Sequence, residues 1–228
     1  MKTQPTPVLS TLGGLSLLAP ERLRKIAREL AIIELAARER KIIDGESATD
    51  AYLVLRGAVK IAPMDSQVAS ILAPGEIFGL CHLIPDGPPV LRYQAITDSL
   101  IGRMPAALFS NKWFNLSHKT FTTLVEFVLG KWWTGAATIS NTGRLPLRSR
   151  LSRVLLDMGN KFGVQDSRGM LLDLPVTQKD LAELIGSSRP QVNIQLARLS
   201  DVGAVIRRGR RLILVQSRLR QEAAKADL

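Results

Sequence analysis

The residues best suited to chemistry in this chain are arginines, and they cluster near the C-terminal end. The segment Arg207-Arg-Gly-Arg-Arg211 holds four of them between two apolar runs, and Arg189 lies beside Ser188 and Pro190. A guanidinium group binds phosphate oxygens and can donate two parallel hydrogen bonds to the edge of a guanine. This chemistry favours binding of an anionic partner over catalysis.

The distribution of charge points to the same kind of partner. The chain has 31 lysines and arginines against 20 aspartates and glutamates, a formal net charge of +11. Residues 144–228 contain 16 basic and 8 acidic side chains, whereas residues 1–143 contain 15 and 12. A basic C-terminal third predicts an anionic partner, either nucleic acid or a membrane surface. A solvated basic face that serves only solubility is the alternative.

The few cysteines and histidines argue against a metal centre or an enzyme. The single cysteine, Cys81, excludes an internal disulfide framework and a four-cysteine zinc or iron–sulfur site within one chain, and it fits a reducing cytosol. The two histidines, His82 and His118, form no His-x-His pair of the kind that a metal-dependent β-roll enzyme needs. Serines near His82 form no triad signature. We therefore predict no enzymatic activity, no metal and no obligatory cofactor.

Two apolar stretches have some features of membrane or export signals. Residues 8–20 lack an A-x-A cleavage pattern, so we do not expect a signal peptide. Residues 121–139 are interrupted by Glu126 and Lys131, which makes a transmembrane helix untenable. The expected location is the cytoplasm, with no membrane partner.

The sequence pattern of residues 176–215 predicts the secondary structure that positions these arginines. Thr177 and Asp180 form a capping-box pattern that begins a helix, and Gly186 ends that helix. Ser188 and Gln191 repeat the box pattern and begin a second helix two residues later. The predicted buried faces of the two helices are Leu181, Leu184 and Ile185 in the first and Val192, Leu196 and Leu199 in the second.

Two short helices joined by a glycine turn indicate a helix-turn-helix. Ala182 and Val192 provide the small and the aliphatic residue that a close helix crossing needs, and Pro190 falls in the first turn, where it costs no hydrogen bond. Residues 204–206 and 212–215 then flank the arginines as a predicted β-hairpin wing whose cationic tip suits phosphate contact. An ordinary helical hairpin followed by a β-hairpin is the alternative.

Two different sequence patterns precede this segment. Residues 20–30 have apolar residues at helical spacing and predict a short amphipathic helix. Residues 32–104 contain short β-rich runs between Gly, Pro and Asp clusters, which suggests an antiparallel roll or barrel. The runs are Tyr52–Leu55, Ala58–Ile61, Ala69–Leu72, Ala95–Thr97 and Leu100–Ile101.

A helical period returns at about residue 119. One apolar stripe at offsets of 0, 4, 7, 11 and 18 is formed by Phe121, Val125, Val128, Trp132 and Ile139. Packing against the β-domain is one interpretation, and a seam with a partner helix is the one we prefer, because the stripe lies between two domains. Gly143 and Pro146 predict a hinge, followed by another helix up to Gly163. The predicted domains are a β-roll at 1–115, a dimerisation helix at 116–143 and a winged helix-turn-helix at 144–228.

This order of elements resembles the cyclic-AMP receptor / fumarate–nitrate regulator (CRP/FNR) family over nearly the full length. The resemblance is strongest in residues 177–215 and in Gly75-Glu-Ile-Phe-Gly79. It implies an α+β fold with an N-terminal antiparallel, cyclic-nucleotide-binding-like β-roll, a long dimerisation helix and a C-terminal winged helix-turn-helix. It also implies a homodimer that binds an inverted-repeat operator in double-stranded DNA, contacts RNA polymerase and regulates transcription.

The resemblance assigns the DNA contacts. In the family, a Ser-Arg pair opens the recognition helix and the arginine reads a guanine, which Ser188-Arg189 matches. The glutamate that follows in the family is Pro190 here, a later arginine is Ile194, and Gln195 replaces a usually apolar residue. We therefore expect an operator sequence that differs from the family's common one. The candidate DNA-contact residues are Thr177, Gln178, Lys179, Ser188, Arg189, Gln191, Asn193, Arg207, Arg208, Arg210 and Arg211.

The effector pocket departs further from the family pattern. Cyclic-nucleotide binders of the family place a glutamate after Phe-Gly and an Arg-Ser pair downstream, but here the first position is Leu80 and the second falls on Pro89-Val90 or Val90-Leu91. An apolar pair cannot hold a cyclic phosphate, so we expect no cyclic AMP requirement unless Arg92 substitutes.

Some relatives bind heme through a Cys or His in this region, which makes a heme- or other small-molecule-sensing signalling protein the alternative function. A buried cysteine and a hydrogen-bonded histidine are the simpler interpretation. The candidate effector residues are Gly79, Leu80, Cys81, His82 and Arg92.

Overall fold

The structure, a computed structural model, describes residues 20–43, 50–64, 69–80, 91–105, 145–209 and 211–225. The chain divides into two compact units, one formed by residues 1–64 and 72–136 and the other by residues 65–71 and 137–228. The predicted dimerisation helix with its apolar stripe, the Cys81-His82 pair and Arg210 lie outside the described residues.

The N-terminal unit is a helix followed by short antiparallel strands, as the sequence predicts. The elements of residues 20–104 are α1 (Pro20–Glu29), β1 (Ala31–Leu35), β2 (Arg40–Ile43), β3 (Ala51–Arg56), β4 (Val59–Pro63), β5 (Ser70–Leu72), β6 (Ile77–Phe78), β7 (Leu91–Ala95) and β8 (Ser99–Met104). They form two four-stranded sheets of order β1-β8-β3-β6 and β2-β7-β4-β5. Pairing of β8 with β1 and β3, and of β7 with β2 and β4, is antiparallel.

Apolar side chains from both sheets fill the interior of this unit. Its centre is an aromatic cluster of Tyr52, Phe78 and Tyr93, in which the Phe78 ring centroid lies 5.2 Å from that of Tyr52 and 5.5 Å from that of Tyr93. Strand alternation produces this core, because buried Leu91 and Tyr93 in β7 flank the exposed Arg92. Burial raises the pKa of the Tyr93 phenol to about 12, and Tyr52 and Glu39 add to the rise. Tyr93 is therefore a neutral, apolar part of the core at neutral pH.

One predicted strand, Ala95–Thr97, is wrong. Strand β7 ends at Ala95, and the next residues form the bend that leads into β8. The side chains there bind backbone groups of neighbouring segments: the Thr97 hydroxyl accepts from the Ala58 N–H at 3.0 Å, and the Asp98 carboxylate accepts from the Ala37 N–H at 2.8 Å. Polar side chains that satisfy backbone groups in this way stabilise a turn in place of a ladder.

The described part of the C-terminal unit contains four helices and one sheet. Its elements are α2 (Leu147–Phe162), β9 (Gly163–Asp166), β10 (Gly169–Leu172), α3 (Gln178–Ile185), α4 (Arg189–Asp201), β11 (Val205–Arg208), β12 (Arg211–Leu214) and α5 (Gln216–Ala224). The strand order is β11-β12-β10-β9, with antiparallel pairing throughout. The β9–β10 hairpin and α5 were not predicted from the sequence.

Helix α2 packs against other elements of this unit through both apolar and polar side chains. Leu151 and Leu155 are completely buried on one of its faces. On another, the Ser149 hydroxyl donates to the Glu222 carbonyl of α5 at 2.9 Å. The Arg150 guanidinium donates to the Ile185 carbonyl at 2.6 Å, which satisfies an acceptor at the C-terminal end of α3. Helix α2 therefore fixes the position of the helix-turn-helix through both its core and its polar contacts.

Candidate nucleic-acid interface

The first helix of the helix-turn-helix begins with the predicted capping box. The Thr177 hydroxyl accepts from the Asp180 N–H at 3.1 Å, and the Asp180 carboxylate accepts from the Thr177 N–H at 2.9 Å and from its hydroxyl at 2.7 Å. Asp180 is almost fully buried by this arrangement. Because both ends of the box are satisfied, α3 begins at a fixed residue and its first turn has a defined direction.

A left-handed glycine makes the turn between the two helices. Gly186 has φ +60°, and the Ser187 N–H donates to the Ala182 carbonyl at 2.9 Å. This arrangement closes the C-terminal end of α3 and turns the chain into α4 within three residues. Ala182 and Val192 are buried where the helices cross, as predicted.

The second predicted capping box does not form, which corrects the sequence prediction. Ser188 has an N-cap backbone conformation, but its hydroxyl makes no capping hydrogen bond. Pro190 explains part of the difference, because it removes one of the two amide groups that an N-cap hydroxyl normally accepts from. The Ser188 hydroxyl therefore stays exposed at the start of α4, next to the exposed Arg189 and Gln191.

Three of the predicted DNA-contact side chains form one network across the two helices. The Gln178 side-chain amide donates to Asn193 Oδ1 at 3.0 Å, and Arg189 Nε donates to Gln178 Oε1 at 3.3 Å. The hydrogen bonds are exposed, so the three polar groups face solvent from α3 and α4. This network holds an amide and a guanidinium side by side on the outer face of the helix pair.

The wing is a β-hairpin with arginines at its tip. Arg208 of β11 lies opposite Arg211 of β12, and Gly209, with φ +60°, begins the two-residue connection between the strands. A positive φ at that position is what tight hairpin turns require. The hairpin places Arg207, Arg208 and Arg211 on exposed positions of one protrusion.

Two of the wing arginines pair with aspartates of the unpredicted hairpin region. Arg208 Nη1 lies 3.0 Å from Asp166 Oδ2 of β9, and Arg211 Nη1 lies 3.0 Å from Asp173 Oδ1. Both guanidiniums remain more than half exposed, so these pairs contribute little to stability. Within the described residues, Arg207 forms no ion pair.

The three proposed effector residues within the described part of the chain are carried by two different sheets. Gly79, with φ +78°, and Leu80 follow β6 in one sheet, whereas Arg92 belongs to β7 in the other. The alternation of β7 directs Arg92 away from the aromatic core, since Leu91 and Tyr93 on either side are buried in it.

Two family models match these two units. The model of the cyclic nucleotide-binding domain matches residues 32–114, and that of the Crp-like helix-turn-helix domain matches residues 149–221. Together they span more than half of the chain, in the order in which the β-roll and the winged helix occur. The chain belongs to the CRP/FNR family of transcription regulators. CRP/FNR proteins are regulators, not enzymes, and they bind DNA through this helix-turn-helix domain.

CRP/FNR relatives share the fold at low sequence identity. The chain is 21% identical over 214 residues to the CRP-like cAMP-activated global transcriptional regulator of Mycobacterium tuberculosis, covering 92% of this chain and 95% of the relative. It is 24% identical over 186 residues to the global nitrogen regulator of Synechocystis, covering 78% and 83%. The structure of FixK2 from Bradyrhizobium japonicum matches with a TM-score of 0.71 and 21% identity, over 87% of this chain and 99% of that one.

The CRP/FNR helix-turn-helix includes residues that the sequence prediction missed. Asp166 and Asp173 were not expected near the wing, because only tertiary pairing brings β9 and β10 beside it. Ile194 departs from the family pattern, and its spacing from the buried Val192 and Leu196 places it on the outer face of α4. None of the helices within the described part of the chain is long and apolar enough to cross a bilayer.

Proposed function

We propose that this regulator binds an inverted-repeat operator as a homodimer, with α4 of each subunit in a major groove. The observation that supports this most strongly is the exposed network of Gln178, Arg189 and Asn193 beside a wing with exposed arginines. Amide and guanidinium groups are the side chains that read base edges by paired hydrogen bonds. The wing supplies positive charge for the adjacent phosphates.

The polar groups divide into two roles in this proposal. Arg189 reads the major-groove edge of a guanine. Gln178, which is hydrogen-bonded to Arg189, and Asn193, which is hydrogen-bonded to Gln178, contact the same base or the next one. Thr177 and Ser188 stand at the N-terminal ends of α3 and α4, where backbone N–H groups and the helix dipole attract phosphate. Lys179, Gln191 and the wing arginines add contacts that position the protein without reading sequence.

The dimer is proposed to form through residues 116–143, whose apolar stripe includes Trp132 and Val128. The proposed site of action is the cytoplasm, where the DNA-bound dimer contacts RNA polymerase. Two-fold symmetry of the protein requires two-fold symmetry of the operator, because identical α4 helices must meet identical half-sites.

Selection of bound duplexes from a randomised library tests the operator geometry. The full chain should enrich an inverted repeat with half-site centres about 10 base pairs apart, one helical turn, and a footprint should cover both halves. Analytical ultracentrifugation of the same preparation should give a dimer.

The variant Trp132→Asp tests the link between the dimer and the operator. A charge in an apolar dimer interface should give monomers. These monomers should lose affinity for the operator far more than affinity for nonspecific DNA, because nonspecific affinity depends mainly on phosphate contacts. A footprint over one asymmetric half-site, made by an intact monomer, would contradict the proposed dimer.

We further propose that cyclic AMP is not the effector. The Mycobacterium tuberculosis relative is cAMP-activated, but here Leu80 occupies the position of the ribose-binding glutamate and Arg92 lies on the outward face of β7. A cyclic phosphate placed against apolar side chains would lose hydration without gaining hydrogen bonds.

Calorimetric titration with cyclic AMP and cyclic GMP should therefore show no micromolar binding, and neither ligand should be needed for DNA binding. Micromolar binding that disappears in Arg92→Ala would show that Arg92 has taken over the phosphate. Absorbance and native mass spectrometry of the purified chain would reveal heme at Cys81-His82, the alternative function.

A further inference from the structure

The outer face of α4 carries an apolar ridge in the middle of the proposed DNA interface. Ile194 is 46% exposed, which is unusual for a large aliphatic side chain within a helix of this unit. Pro190, four residues before it, and Ala197, three residues after it, are also exposed. Residues at these spacings lie on one face of a helix. The three side chains therefore form a continuous apolar ridge, Pro190–Ile194–Ala197.

This ridge is not part of the protein core. Val192 and Leu199 are completely buried and Leu196 nearly so, and they occupy the opposite face of α4. Nearly half of the Ile194 surface is open to water, and that exposed part gains nothing from burial in the free chain. This exposed surface is available for contact with a binding partner.

The surroundings of the ridge indicate what that partner is. Arg189 and Asn193 lie along one side of it, Gln191 and Arg198 along the other, and all four are exposed. A protein partner that covered the ridge would also have to cover this polar border, whereas the major groove offers both kinds of group. Each A·T pair presents hydrogen-bonding groups and, on the thymine, an apolar C5-methyl group.

We propose that Ile194 contacts the C5-methyl group of a thymine in the major groove and thereby specifies one T·A pair in each half-site. This inference rests on the proposed function, since it assumes that α4 enters the groove. Ile194 follows Arg189 by five residues, about 7.5 Å along the helix axis, which corresponds to about two base-pair steps when the helix lies along the groove. The thymine should therefore lie about two base pairs from the guanine that Arg189 reads.

Replacement of single thymines by deoxyuridine in the selected operator tests this directly. Deoxyuridine keeps the Watson–Crick pair and removes only the methyl group. At one thymine per half-site, the affinity of the full chain should fall about fourfold, the effect of losing one buried methyl-sized group. Ile194→Ala should bind the unmodified operator correspondingly less well and should no longer distinguish thymine from uracil at that position.

The matched control is Val202→Ala, which shortens another exposed aliphatic side chain, at the C-terminal end of α4. This variant should keep the full uracil effect, and all three proteins should bind nonspecific duplex equally well. Operators that are specific but insensitive to uracil at every thymine would overturn the role of Ile194 and leave the proposed function intact. Ile194→Ala that alters self-association but keeps the uracil effect would assign the ridge to a protein contact and also overturn it.

A library selection that enriches no sequence at all would have a different meaning. It would overturn the proposed sequence-specific function itself, and the thymine contact with it. The two failures are therefore distinguishable, because the uracil experiment begins only after an operator has been defined.

Discussion

Replacing Arg189 with alanine should lower the affinity for the selected operator by about 5- to 150-fold per half-site, equivalent to about 1–3 kcal/mol. The loss should be confined to duplexes with the preferred base pair at one position, because only that pair offers the guanine edge to a bidentate guanidinium. Fluorescence anisotropy with operators that carry each base pair at that position measures the effect.

Two comparisons make the Arg189 result specific. Arg220→Ala removes the same charge from an exposed position on α5 and should leave selectivity intact. Arg189→Lys keeps the charge but lacks the planar fork, so it should restore little of the selectivity. If Arg189→Ala weakened binding to every duplex equally, Arg189 would be a phosphate contact and not a base reader.

Removal of two wing arginines should have the second large effect. The double variant Arg207→Ala/Arg208→Ala should bind every duplex more weakly, and the slope of log affinity against log salt should flatten by about 1 to 2 units. Each phosphate contact releases condensed counterions, and each lost contact removes that release. Affinities measured between low and moderate salt, on operator and random duplex alike, give the slope.

The pairing of Arg208 with Asp166 suggests a variant that should raise the affinity for DNA instead of lowering it. Asp166→Asn removes the carboxylate that competes with phosphate for Arg208, so binding to all duplexes should become tighter. An unchanged salt slope in the double arginine variant would show that the wing points away from DNA.

Local sequence signals predicted the helix-turn-helix well. The Thr177–Asp180 box and Gly186 specify the ends of α3 through bonds within a few residues, and the structure contains those bonds. The Ser188 box failed although it has the same spacing: the Ser188 hydroxyl makes no capping hydrogen bond, and Pro190 at the second helical position removes one of the two amides that it could have used. A motif is therefore only as predictive as the hydrogen bonds that its particular residues can make.

The features that the sequence did not predict depend on distant pairing. The strands β9 and β10 are short and contain polar residues and glycines, and the ladder of β10 with β12 joins segments about 40 residues apart, so it forms only when the wing folds against β10. The Asp166–Arg208 pair joins residues 42 positions apart, so no periodicity could indicate it. The family resemblance supplied the overall fold, but these pairings come from the particular side chains of this chain.

The shared hydrogen bonds of Gln178 have a consequence for how binding sites are found in a genome. Because Gln178 contacts both Arg189 and Asn193, a base that displaces one of these bonds changes the orientation available to the other side chain. Preferences at neighbouring operator positions should then depend on each other. A scoring matrix that treats each operator position as independent should therefore rank the sites of this protein less well than one that includes coupling between neighbouring positions.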